Sequence, residues 1–290
     1  MQGGTPMSKN YRASLSACLG DPVDGNPTGV MQEAAFAACG LNWRYLTIRV
    51  KDGDLAQAFA GMKAMDFSCC NLTMPHKRTI IPLLDGLTQA AQIIGAVNTV
   101  YRDGDRWLGE NTDGKGFVRA LQKEGIDLNG KRVTILGAGG AARAIGVECA
   151  LAGASSVTVI NRSQANGTEL VDLINTHTPA QAQYLPWRAA MAIPSDTEIL
   201  VNATCVGLHP NITDKPDIDY STILPHMVVC DVVFNPVDPL FLQEARKQGA
   251  KTVSGIGMLV QQGALAFTLW TGKDAPEQVM YDTLAKEFEE

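Results

Sequence analysis

At 290 residues the chain is long for a single hydrophobic core, so two domains are expected. Its 46% hydrophobic and 19% charged residues exclude a disordered or fibrous chain, and a net charge of −6 leaves no basic footprint for nucleic acid. No run reaches the roughly 18 apolar residues of a membrane span, and the first ten residues read as a loose tail without the apolar core of a signal peptide.

From Tyr11 the segment YRASLSACLG predicts a strand ending at Gly20, then a loop DPVDGNPTG and a helix over VMQEAAFAACG that stops at Gly40. WRYLTIRV predicts a strand, DLAQAFAGMKAM a helix, and FSCCNLT another strand. PHKRTIIPLLDGL starts as a helix with Pro75 in its first turn and is cut short by Pro82. VNTVYRDGDRWLGEN predicts a hairpin over Asp103-Gly104, and DGKGFVRALQKEG a helix. From Asn129 onward strands (VTIL, SVTVIN, EILVNAT, MVVCDVVF, AKTVSG) alternate with helical segments such as DPLFLQEARKQG, the pattern of a parallel sheet covered by helices. Two helices close the chain. The seven cysteines form no Cys-x-x-Cys pair and mostly lie in apolar runs, and the four histidines are scattered. Buried reduced thiols, no metal site and a cytoplasmic location are therefore expected.

Gly137-Ala138-Gly139-Gly140-Ala141-Ala142 fits G-x-G-x-x-A between a strand and a helix. The first glycine permits the turn, the second lets backbone approach a pyrophosphate, and Ala142 allows helix and strand to pack closely. The next strand ends in Asn161-Arg162-Ser163, where an NAD-binding protein carries an acid for the ribose. An arginine at that place pairs with a 2′-phosphate and stacks on adenine, so NADP is expected over NAD. No second basic residue follows at Gln164, Ala165 or Asn166.

Three further loops, NLTMPHK (71–77), GAVNT (95–99) and ENTDG (110–114), are rich in Asn and Thr, and two of them carry an ionisable group. Singly, Lys77 reads as a surface lysine, Asp113 as a helix cap, and Asn71 and Asn98 as turn residues. Together they suggest a small polar ligand beside the dinucleotide. His76 adjoins Lys77, but consecutive helical residues point apart, so it reads as a packing or surface histidine.

With GAGGAARA, VNAT and GIGMLVQQGALAFTLWTG, these loops resemble the motifs of the shikimate dehydrogenase family, in that family's order and across nearly the whole chain. The segment TLWTGKDAP is especially similar to the quinate/shikimate dehydrogenase branch. The resemblance implies a two-domain α/β protein. An N-terminal substrate domain (1–113) would be completed by C-terminal helices (256–290), and a Rossmann domain with a doubly wound parallel sheet (114–255) would bind NADP. It implies reversible hydride transfer between NADP(H) and the C3 position of a cyclohexene carboxylate, with 3-dehydroshikimate or its quinate counterpart as the ketone. Lys77 and Asp113 would be the catalytic pair, with Asn71, Thr73, Asn98 and Gln262 on the ring hydroxyls. The cofactor would meet Gly137 to Ala141 (with Ala138, Gly139 and Gly140), Asn161, Arg162, Ser163, Thr204, Val232, Gly255 and Met258. A positioned ammonium stabilises the charge that builds on a carbonyl oxygen during reduction and can supply a proton.

Two departures bear on the substrate. The family's Ser-x-Ser pair, which holds a carboxylate, is replaced here by Asn26 and Thr28. Its tyrosine in D-x-x-Y-x-P is replaced by Phe234 in DVVFNP. A cyclic polyol carboxylate remains the expected partner, with a related polyol or aminated analogue as the alternative. A dinucleotide-binding regulatory module is the remaining alternative, and the presence of both Lys77 and Asp113 counts against it. The sequence does not fix the oligomeric state; a homodimer is the ordinary expectation.

Overall fold

The computed structural model describes residues 11–289. The predicted tail, residues 1–10, lies outside them. The first half builds a mixed six-stranded sheet. Its elements in chain order are β1 (Ser14–Gly20), α1 (Thr28–Ala38), β2 (Trp43–Arg49), α2 (Leu55–Ala64), β3 (Cys69–Leu72), α3 (His76–Thr79), β4 (Gly86–Leu87), α4 (Gln89–Ile94), β5 (Thr99–Asp103) and β6 (Arg106–Glu110). The strand order is β2-β1-β3-β5-β6-β4, with β1, β2 and β3 parallel and the β5–β6 hairpin antiparallel. Helix α5 (Thr112–Lys123) leads out of it, with Asn111 as its N-cap.

The second sheet is wholly parallel, in the order β14-β13-β11-β7-β8-β9. The elements of this part of the chain are β7 (Arg132–Leu136), α6 (Gly140–Leu151), β8 (Ser156–Asn161), α7 (Gln164–His177), β9 (Gln181–Pro186), β10 (Met191–Ala192), β11 (Ile199–Asn202), β12 (Ile218–Asp219), β13 (Val228–Asp231), α8 (Leu240–Lys247) and β14 (Lys251–Val253). The short β10 and β12 pair with each other outside the sheet. Strands β7, β11 and β13 are apolar and buried nearly throughout, as a sheet covered on both faces requires. Strand order reverses between β7 and β11, and a crevice opens at the carboxyl ends of strands at such a switch point.

The chain then returns to the first sheet through α9 (Gly255–Thr271) and α10 (Glu277–Glu287). Met31 and Phe36 of α1, Val260, Ala264 and Phe267 of α9, and Met280 and Leu284 of α10 form one core on that face. Phe36 stacks on Phe267 with ring centroids 5.6 Å apart. The opposite face packs on Leu55, Phe59 and Met62 of α2. Fully burying such a side chain contributes roughly 1.5–3 kcal/mol before entropy is counted.

Helix α5 joins the halves at very short range. A Cβ at Gly114 would lie 2.3 Å from the Ala144 carbonyl oxygen of α6, and one at Gly116 would lie 2.6 Å from the Gln262 nitrogen of α9. Only glycine permits that packing. Beside it, Glu148 of α6 is buried and its Oε1 has no hydrogen-bond partner among the described residues. Burial raises its carboxyl to about 7, with Lys115 opposing and Glu110 adding to the shift. The unfolded carboxyl titrates near the ordinary 4.5, so the folded state keeps a proton that the unfolded chain has released. The stability this contributes is fully present below that value and lost as pH rises to about 7. Glu148→Gln, which cannot ionise, is therefore expected to melt roughly 5 °C above the parent at pH 8, with the gap closing towards pH 5. Calorimetry at the two pH values checks this, and an unchanged or lower melting point at pH 8 would show the ionised carboxylate to be well accommodated.

Candidate active site

Lys77 stands on the four-residue helix α3, which Pro75 starts. That helix is pinned from below by His76, which is fully buried with Nε2 2.7 Å from the Val50 carbonyl oxygen. His76 is thus a packing residue, as its position beside Lys77 suggests. The Lys77 carbonyl accepts from Val97 N at 2.7 Å, which ties α3 to the loop carrying Asn98.

Asp113 lies in the first turn of α5; the cap itself is Asn111, whose side chain accepts from Asp113 N. The two charged groups meet, with Lys77 Nζ donating to Asp113 Oδ2 at 2.7 Å. Asp113 Oδ1 accepts from Asn98 Nδ2 at 2.7 Å. Both carboxylate oxygens are therefore engaged, while among the described residues the ammonium uses one of its three donors.

Asn98 is the hub of the site and is buried. Its Oδ1 accepts from Thr112 N at 2.7 Å, and its Nδ2 also approaches Thr112 Oγ1 at 3.0 Å and Gln262 Oε1 at 3.5 Å. Asn71 Nδ2 donates to the Asn98 carbonyl (3.0 Å) and Thr99 Oγ1 (3.1 Å), and its Oδ1 accepts from Tyr45 OH (2.8 Å). With both amide hydrogens committed, Asn71 can offer a ligand only an acceptor. Gln262 Nε2 is turned to the Leu259 carbonyl of its own helix. Thr73 is half-buried, its hydroxyl without a partner among the described residues, and packed so close to Gly20 that a Cβ there would lie 2.2 Å from its methyl.

These residues line a cavity of about 450 Å³ whose opposite wall comes from the second sheet. Gly140, Ala141, Thr204, Val232, Gly255 and Met258 contribute there, and Asn26, Thr28 and Phe234 also line the cavity. Among its lining residues only Lys77 and Asp113 are charged, so the pair cancels and the remaining wall is neutral. Asn26 Nδ2 lies 3.6 Å from Cys18 Sγ, and its Oδ1 accepts from Thr28 N. Among the described residues the Thr28 hydroxyl has no side-chain partner, and Phe234 packs on Phe288, with centroids 5.4 Å apart.

Gly137 has φ +106°, which an L side chain rarely adopts, and sits against Thr204 and the Ala203 carbonyl. A Cβ at Gly139 or Gly140 would enter open space at the start of α6, so this turn leaves room for a phosphate against backbone N–H groups. Ala138 packs beside it on the same core as Ala142. Asn161, Arg162 and Ser163 stand apart from this cavity, at the end of β8. Ser163 caps α7, Asn161 Nδ2 donates to the Ser163 carbonyl, and Arg162 is exposed without an ion pair among the described residues. The glycine turn and the free arginine fit a phosphorylated dinucleotide. Among the described residues no group of His, Cys, Asp and Glu could hold a metal ion, and no helix is long and apolar enough to cross a membrane.

Three contributions escape sequence reasoning. Cys18 lines the cavity, its thiol pushed up to about 11 by burial against the opposing charge of Lys77, so it stays neutral. Cys205, exposed beside Thr204, lines the opposite wall. Asp231 ends β13, where its Oδ1 accepts from Asn202 Nδ2 (3.0 Å) and Val233 N (2.9 Å), and burial lifts its carboxyl to about 7. Asn202 in turn holds Thr204 through its Oδ1.

Comparison with known proteins agrees with this architecture. A family model described as shikimate dehydrogenase substrate binding domain matches residues 18–100, shikimate / quinate 5-dehydrogenase matches 119–216, and shikimate 5′-dehydrogenase C-terminal domain matches 255–285. The chain is 45% identical over 269 residues to the shikimate dehydrogenase (NADP(+)) of Moorella thermoacetica, covering 92% of this chain and 90% of that protein. Among solved structures, ligand-free 5-ketofructose reductase of Gluconobacter sp. strain CHM43 superposes with a TM-score of 0.92 at 40% identity, covering 96% of this chain and 100% of that one. Shikimate 5-dehydrogenase of Thermus thermophilus in complex with NADP(H) and shikimate gives 0.82 at 32% identity, with 94% and 99% covered.

Proposed function

The chain belongs to the shikimate dehydrogenase family, and from that premise we propose that it catalyses the reversible NADP(H)-dependent reduction of 3-dehydroshikimate to shikimate. The observation that carries this reading is the 2.7 Å pair of Lys77 and Asp113, drawn from separate segments and facing the glycine turn across one cavity. Residues 1–113 with 256–290 form the substrate half and 114–255 the cofactor half. The reading carries with it a cytoplasmic location, where thiols such as these stay reduced.

When bound, NADPH supplies the hydride that reaches the carbonyl carbon. Every other part belongs to the chain's own residues. Lys77, with two donors to spare, hydrogen-bonds the carbonyl oxygen and delivers a proton as negative charge develops there. Asp113 is the fixed member, since Asn98 holds its second oxygen, and it keeps the ammonium aimed. Thr73, Asn71, Asn98 and Gln262 surround the ring hydroxyls. Of these only the Thr73 hydroxyl lacks a partner among the described residues, so a ligand without the hydroxyl that meets it leaves that group unpaired, which is the basis of selection among polyols. Gly137, Ala138, Gly139, Gly140 and Ala141 receive the pyrophosphate, Asn161, Arg162 and Ser163 the adenosine side, and Thr204, Val232, Gly255 and Met258 the nicotinamide side.

A second reading has a specific observation in its favour. At Asn26, Thr28 and Phe234 the cavity offers an amide, a hydroxyl and a phenyl ring, and Lys77, paired with Asp113, is the one cation among its lining residues. A neutral polyhydroxy ketone suits those three residues as well as a carboxylate does, and one of the solved relatives at 40% identity is a 5-ketofructose reductase. Reduction of 3-dehydroshikimate, 3-dehydroquinate and 5-ketofructose with NADPH and NADH separates the two. The first reading expects the highest kcat/KM on 3-dehydroshikimate. A preference for the neutral ketone by about tenfold or more would replace it with the second.

A further inference from the structure

Strands β8 and β9 run parallel with Asn161 opposite Pro186, so their carboxyl ends lie side by side, about 4.8 Å apart. Each strand releases an arginine just beyond that point: Arg162 from β8 and Arg188 from β9. The segment carrying Arg188 is fixed to the end of β8. Trp187 N and Tyr184 OH both donate to the Asn161 carbonyl, at 3.1 and 3.0 Å, and the Trp187 indole donates to the Asp217 carbonyl at 2.9 Å. One carboxylate lies close by, Asp217, and it accepts from Ala190 N.

Several other arginines of the chain are engaged, as Arg49 is with Asp21, Arg119 with Glu277 and Arg143 with Glu169. Arg162 and Arg188 are exposed, and neither makes an ion pair among the described residues. Two unneutralised guanidinium groups on adjoining strand ends repel each other, and a dianion between them relieves that repulsion. The planar fork of each guanidinium can bond two oxygens of a phosphate at once.

We infer that Arg188 is a second phosphate-binding residue, acting with Arg162 to hold the 2′-phosphate of the dinucleotide and so to set the preference for NADP over NAD. The inference rests on the dinucleotide role proposed above. It supplies the second cation that the residues following Arg162 in sequence lack.

The test uses the full chain and the variants Arg188→Ala, Arg188→Lys, Arg162→Ala and the double alanine variant. Titration calorimetry with 2′,5′-ADP as the probe is expected to show about tenfold weaker binding for Arg188→Ala, an intermediate value for Arg188→Lys, and 5′-AMP affected far less. The ratio of kcat/KM for NADP to that for NAD falls by a similar factor, and the double variant falls further than either single one. Arg188→Ala binding 2′,5′-ADP as tightly as the parent, or weakening both nucleotides equally, overturns the inference. Because calorimetry requires no turnover, a protein that binds 2′,5′-ADP through both arginines yet reduces none of the ketones would refute the proposed reaction and leave the clamp standing.

Discussion

Replacing Lys77 with alanine is expected to lower kcat by roughly 10²–10⁴, the range for a lost acid–base group, while the KM for NADPH changes little. The size follows from the geometry. Lys77 is the one cationic side chain lining the cavity, and the Asp113 oxygen that its removal frees is an anionic acceptor that cannot stabilise negative charge on the carbonyl oxygen. Lys77→Arg should not rescue turnover. A guanidinium does not give up its proton in the accessible pH range, and its planar fork does not fit where a compact ammonium meets one carboxylate oxygen. Steady-state kinetics on the best ketone, with fluorescence titration of NADPH, would measure both quantities. Turnover within about threefold of the parent would show that Lys77 only neutralises Asp113 and that the proton comes from elsewhere.

Asn98→Ala is expected to damage stability and turnover together. Its amide satisfies the buried Thr112 N–H, approaches the Thr112 hydroxyl and holds Asp113 Oδ1. Leaving such groups unpaired costs about 1–3 kcal/mol each, so a loss of roughly 3 kcal/mol in unfolding free energy is expected, since water reaches part of the site. Asp113 would then be free to swing, and kcat should fall about a hundredfold from the misaimed ammonium alone. Chemical denaturation and kinetics on the same preparation separate the effects. An active, merely less stable variant would make Asn98 a structural tie and leave Lys77 positioned by other contacts.

The parts of the fold that reach the surface of the sequence are those with local causes. The turn at Gly137 needs positive φ, so glycine marks it. The hairpin at Asp103-Gly104 and the stop at Gly40 carry the same signature. The inner strands β7, β11 and β13 of the second sheet read clearly because burial on both faces makes them continuous apolar runs. The pairing of Lys77 with Asp113 is legible only through resemblance, since the two lie 36 positions apart and nothing in either loop points to the other.

What could not be read depends on pairing between distant segments. Helix α7 and strand β9 were not among the expected elements, because QAQYLP is half-exposed and polar as an edge strand should be. With β9 missing, Arg188 had no place beside Arg162. The glycines at 114 and 116 did leave a trace. Two glycines in one helix weaken it, and they are retained here because α6 and α9 press against that turn. Asn71 shows the opposite limit. Its position was expected, but its commitment of both amide hydrogens to Asn98 and Thr99 appears only in three dimensions.

The core formed by Met31, Phe36, Phe267 and Leu284 joins the two extremes of the chain. On a translating ribosome the first sheet therefore emerges with one side bare, and it must wait for the entire second sheet to be made before α9 and α10 arrive to cover it. The parallel half, whose strands are contiguous, can mature while synthesis continues. A nonsense codon just ahead of Gly255 would thus yield a polypeptide that contains both members of the charged pair and yet aggregates, because the sticky side of its first sheet never receives its lid.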